Sequence, residues 1–200
     1  MLNAYDLPTS LTVGGVVHPI RWNWRAILDI LIAYNDPELD AQAQALVLLQ
    51  IFYPQFLEIP VEHLEEAISK ACEFIDCGQK DDGKPKPKMI DWEQDAPIII
   101  PEINKVAGRE IRLDPNIHWW TFMGWFMGIG DGLLASVLHI RHKRASGKKL
   151  ESWELDFYKE NRALCDLKQP HSAQDVAFID EVMNWLNGSK NQPEAADTLP

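Results

Sequence analysis

The chain has 200 residues, 46% of them hydrophobic, and a formal net charge of −11. That length holds one domain, or one domain with an appendage, and buries a full core without disulfide or metal staples. The hydrophobic content excludes a disordered chain, and the acidity excludes nucleic acid as the principal partner, because a binder must neutralise phosphates with Lys and Arg. The charge is uneven. Residues 1–80 hold 11 acids and 4 bases, and residues 151–200 hold 10 acids and 4 bases. Residues 81–150 hold 9 acids and 11 bases, a basic island between acidic ends.

Cys72, Cys77 and Cys165 are odd in number, and no His pair completes a zinc set with them, so they read as free thiols in a reducing compartment. The first residues lack a basic segment followed by an apolar one, so no signal peptide is expected.

In chain order, two β-favouring runs meet at Gly14-Gly15 between Leu11 and Ile20, which predicts a hairpin over about 11–20. Asn23 then caps a helix carrying Trp24, Ile27, Leu28, Leu31 and Ile32 at helical spacing, and Asn35-Asp36-Pro37 stops it. A second helix is predicted over about 40–52 with Leu46, Leu49 and Ile51 inward. A third, about Val61 to Asp76, has Val61, Leu64, Ala67, Ile68, Ala71, Cys72 and Ile75 as its apolar stripe. Residues 78–90 have no periodicity and hold two prolines, which predicts a loop between two helical halves. Its Lys84, Lys86 and Lys88 suit an anion or simply a solvated loop.

Asp91 is placed to cap a further helix, with Gln94 three positions on. Pro97 and Pro101 predict that this helix is kinked or restarted, and Gly108 ends the segment.

From Trp119 to Leu138 the only charge is Asp131, and a basic cluster follows, a pattern that resembles a membrane span with a positive flank. Two features oppose that reading. A charged Asp within such a span costs ~2.5–3.5 kcal/mol, and the aromatics crowd one half. Gly128, Gly130 and Gly132 more simply divide the segment into two helices, about 117–129 and 133–144, the second ending in its basic residues at the negative end of its dipole. Trp119, Trp120, Phe122, Trp125 and Phe126 are expected at the centre of the core. Most of the eight tryptophans must be buried, because so many exposed indoles would drive aggregation. Beyond Gln169-Pro170, Ser172 begins an amphipathic helix to about 186, followed by a polar tail. Its apolar face docks on its own domain or on a partner.

No phosphate loop, nucleophile elbow or base-and-nucleophile set is visible, so no enzyme, cofactor or metal is expected. His139 and His142 lack a carboxylate at matching spacing. Asp91, Glu93 and Asp95 lack the downstream glycine and glutamate of a calcium loop, and His118 reads as a satisfied core histidine.

Four stretches carry a family likeness: Ile20-Arg21-Trp22-Asn23-Trp24-Arg25, Asp91-Trp92-Glu93-Gln94-Asp95, His118-Trp119-Trp120-Thr121-Phe122, and the basic-to-amphipathic run from Ile140 to Asn161. Across about 8–168 the chain resembles the tail-assembly-chaperone-like proteins encoded by tailed phages and prophages, mostly of Gram-positive hosts, near the tape-measure gene. The resemblance implies a non-enzymatic role in tail morphogenesis in the host cytoplasm, with the tape-measure protein or another tail protein as partner and no specific nucleic acid or membrane. A virion structural component is the alternative function, and the apolar segment 119–138 leaves a small membrane protein as a distant one.

The expected architecture is mainly α: seven or eight helices with a short N-terminal hairpin in a domain over 1–168, and an appended helix and tail over 169–200. Candidate partner-binding residues are Trp119, Met123 and Met127 as aromatic and adaptable contacts, Arg141, Lys143, Arg144, Lys148 and Lys149 as a basic island, and Trp153.

Overall fold

The computed structural model describes residues 5–79 and 87–168. Backbone contacts divide the chain after Leu167, and the features below belong to the first unit, Met1–Leu167. The helix expected at 172–186, with the tail beyond it, lies outside the described residues, as does most of the 78–90 loop.

The described elements are a two-stranded hairpin and eight α-helices, as the patterning predicts. Strands β1 (Ser10–Val13) and β2 (Val16–Pro19) pair antiparallel, with Val13 opposite Val16. Gly14 and Gly15 turn between them at φ 56° and 80°, the left-handed region that side chains disfavour. Gly14 is needed twice over, since a Cβ there would also overlap the His63 ring.

Helix α1 (Trp24–Ala33) starts where Asn23 accepts the Ala26 N–H at 3.0 Å. Helix α2 (Ala41–Phe52) is capped the same way by Asp40, and it buries Leu48, Leu49 and Phe52. Leu46 is exposed and Ile51 half-buried, contrary to expectation. The helix is apolar on most sides, so periodicity alone does not select its inner face.

The third helix also starts later than predicted. Val61–His63 is a 3-10 turn with Val61 exposed, and α3 proper is Leu64–Ile75. Its fully buried residues are Ala67, Ala71 and Phe74. Two alanines let α2 approach closely, and the Tyr53 hydroxyl donates to the Ala67 carbonyl at 2.9 Å.

Asp91 caps a turn, accepting the N–H groups of Glu93 and Gln94, and α4 (Ala96–Ala107) begins beyond it. The helix neither restarts nor stops at its prolines. Pro97 sits in the first turn, where its missing N–H is an orphan anyway, and Pro101 is accommodated inside.

Helices α5 (Trp119–Met127) and α6 (Leu133–Ala145) are separated at 128–132, as the glycines predict. Among the described residues no helix is long and apolar enough to cross a membrane. Helices α7 (Ser152–Glu160) and α8 (Arg162–Cys165) follow.

The core joins α1 to α6 with the inner face of the hairpin. Trp119 and Phe122 are its fully buried aromatics from α5, with Trp24 stacked on Phe122 at 5.1 Å. Trp120, Trp125 and Phe126, expected beside them at the centre, pack only half-buried against it. Helix α5 is therefore a wall of the core with one wet side, and Met127 is 60% exposed.

Candidate functional site

Residues 141–149 separate into two environments. Arg141 lies in the apolar stripe of α6 with Leu134, Val137 and Ile140, and is buried. It makes a bidentate pair with the equally buried Asp95, at 2.6 and 2.8 Å. Its remaining donors reach the carbonyls of Met89, Leu164 and Cys165. All five guanidinium donors are thus used, and one side chain ties α6 to the start of α4 and to α8. In this arrangement Arg141 faces inward, away from any partner. Its spacing within the Leu134–Val137–Ile140 stripe is the signal that distinguishes it from a solvated cation.

Lys143 is largely covered and bonds both oxygens of Glu154, at 2.6 and 2.8 Å. Glu154 is buried and also accepts from the Glu151 N–H at 2.6 Å, and it meets His139 Nε2 at 2.7 Å. The Lys143 ammonium above all, aided by the Glu151 N–H and His139, lowers the Glu154 carboxyl to about 2 against the opposing effect of burial. Arg144 pairs with Asp166 and lies over the Tyr158 ring at 4.5 Å.

Lys148 and Lys149 differ. Both are exposed and make no ion pair with any described residue. They follow a Schellman motif, in which Lys148 N–H bonds the Lys143 carbonyl, Gly147 N–H bonds the Arg144 carbonyl and Gly147 takes φ 65°. The next residues form the reciprocal capping box of Glu151 and Glu154 that opens α7. Trp153, one position before Glu154, is 59% exposed and stacks on His139 at 6.3 Å.

The other candidates lie elsewhere. Trp119 is buried, donating to the Ile75 carbonyl at 2.8 Å, Met123 is half-buried and Met127 is exposed. The structure therefore brings together Lys143, Lys148, Lys149 and Trp153 around the α6–α7 corner, and does not bring Trp119 to the surface.

A second feature was not legible beforehand. An open cleft of about 380 Å³ lies between the segment before β1 and α5, with Leu7, Trp22, Ile117 and Trp125 as its apolar lining. Arg109 pairs with Asp114 at 2.9 Å and lies over Trp125 at 5.7 Å. One wall is His118, stacked on Trp22 at 5.6 Å. Its Nδ1 accepts the Trp120 N–H as the cap of α5, so Nε2 carries the proton and donates to the Pro8 carbonyl at 3.0 Å. Burial keeps the imidazole neutral by lowering its pKa, against the opposing effect of the Pro8 bond. His118 is thus a structural cap.

The cysteine thiols are held protonated, chiefly by burial, with Cys77 pushed up to about 11. Among the described residues no group of three or more His, Cys, Asp or Glu is placed to hold a metal.

The model of the bacteriophage Gp15 protein family matches residues 4–167. The chain belongs to this family. The match covers the hairpin, all eight described helices and every stretch that carries the family likeness, and it ends where the first unit ends. The bacteriophage lineage implied by that likeness is therefore shown. Neither the curated proteins nor the solved structures contain a match.

Proposed function

We propose that this bacteriophage protein is a non-enzymatic tail-morphogenesis factor, a chaperone that binds the tape-measure protein in the host cytoplasm before the tail tube encloses it. The observation that carries the reading is membership of the bacteriophage Gp15 protein family across the whole described unit. Physical features support it. A tape-measure protein is a long helical polymer whose apolar stripes need cover until assembly. A helper suited to it combines exposed aromatic and Met contacts with a high net charge that keeps the complex dissolved. Met127, Trp153 and the Trp22–Trp125 cleft supply the contacts, and the charge of −11 supplies the solubility.

Co-expression of the full chain with the tape-measure protein of the same phage, followed by affinity capture, tests this. A soluble complex is expected, with the chain absent from purified particles by mass spectrometry. No complex would overturn the proposal. A fixed copy number in the virion would make the protein a structural component instead.

A further inference from the structure

From the α6–α7 corner we infer that Trp153, Lys148 and Lys149 form a docking surface for a helical protein segment that presents an apolar side chain flanked by carboxylates. This rests on the chaperone reading and names the place and chemistry of its client contact.

Three observations converge. First, the corner is capped on both sides. The Schellman motif closes α6 and the Glu151–Glu154 capping box opens α7 within a few residues. Glu154 then locks the helices together through Lys143 and His139. Ordering this surface on binding therefore costs little conformational entropy.

Second, Trp153 is displayed. His139 lies in an offset stack against the indole at 6.3 Å, the Nε1–H donates to Glu151 at 3.2 Å, and 59% of the residue stays exposed. An indole whose polar atom is already satisfied offers its open face to an apolar side chain, and Trp is the residue most enriched among binding hot spots.

Third, the charge is locally inverted. Glu154 and Asp166 are engaged by Lys143, Arg144 and Arg162, which leaves Lys148 and Lys149 without a described ion pair on a chain of net charge −11. Two exposed ammonium groups four and five positions before the indole, with no ion pair among the described residues, complement carboxylates beside an apolar residue, and Glu151 at the indole is itself met by Lys143 at 3.8 Å. Two cations fall short of the run that a nucleic-acid backbone needs.

The test uses the full chain and the co-expressed tape-measure protein of the same phage. Capture is compared for wild type, Trp153→Ala, K148E/K149E and a control on another helix, Leu57→Ala, chosen because Leu57 is also exposed and lies in neither the corner nor the cleft. Both corner variants are expected to keep the wild-type circular dichroism and melting curve while retaining about tenfold less client, as a lost hot spot predicts. The Leu57→Ala control should retain all of it, and the wild-type complex should weaken between about 0.15 and about 0.5 M salt. A wild-type complex that both corner variants hold equally well overturns the surface and leaves the chaperone reading standing. Absence of any wild-type complex overturns both. Retention of single-stranded DNA by wild type, lost in Trp153→Ala, would show that the corner serves a nucleic acid and would also overturn the inference.

Discussion

Arg141 and Lys149 lie only eight positions apart in one basic run, yet they do opposite work. Arg141 is buried, spends every donor on Asp95 and three carbonyls, and holds α4, α6 and α8 together. Lys149 is exposed at a capped corner and bonds no described carboxylate. The difference lies in what each helix position faces. Residue 141 continues the inward stripe of α6, whereas 148 and 149 fall past its last turn. A charge cluster is thus not one feature, and its members must be sorted by the face that carries them.

The sharpest way to break this contrast is to remove one partner of the buried pair. Asp95→Ala or Arg141→Ala should each lower the unfolding free energy by about 3–5 kcal/mol, because the remaining charge stays buried and uncompensated. Arg141→Ala should be the more damaging, since it also leaves the carbonyls of Met89, Leu164 and Cys165 without this donor. Urea titration at neutral pH measures both, and a loss below about 1 kcal/mol would place the pair among ordinary surface bridges.

Glu154 stands between the two regimes, buried yet part of the corner. Its folded carboxyl, at about 2, lies below its ordinary 4.5. It therefore contributes stability above the ordinary value, and that contribution is lost as the pH falls towards 2. Glu154→Gln should be less stable than wild type at neutral pH, and the gap should close from about pH 5 to about pH 2. Parallel stability curves across that range would contradict the assignment.

The smallest effect is expected at the corner itself. K148E/K149E should change the unfolding free energy by no more than about 0.5 kcal/mol, as surface substitutions usually do. A loss as large as that of Asp95→Ala would mean that these lysines hold the fold rather than meet a partner.

Much of the frame was legible in the residues because its causes are local. Gly14-Gly15 turns the hairpin, Asn23 caps α1, and the glycines at 128, 130 and 132 divide an apolar run whose composition resembles a membrane span. What escaped depends on distant residues. The inner face of α2 is settled by α1 and α3, so Leu48 and Phe52 are buried where Leu46 and Ile51 were expected. The expected stripe of α3 holds at Ala67 and Ala71, whose small side chains permit close helix approach, but its most buried large residue is Phe74, which lay outside that stripe. Asp95 and Arg141 lie 46 positions apart, and only the fold makes a cap residue and a basic cluster into one buried pair. Of the nine candidate contacts, Met127, Arg144, Lys148, Lys149 and Trp153 are exposed, with Arg144 held by Asp166, while the cleft between Trp22 and Trp125 needs the chain folded back on itself to exist.

The most direct test of the functional account is electron microscopy of lysates from a phage that lacks this gene, with the wild-type gene supplied in trans as the reference. The account predicts capsids with few or no complete tails in the deletion and normal tails on complementation. Complete tails of normal length and number from the deletion phage would contradict it.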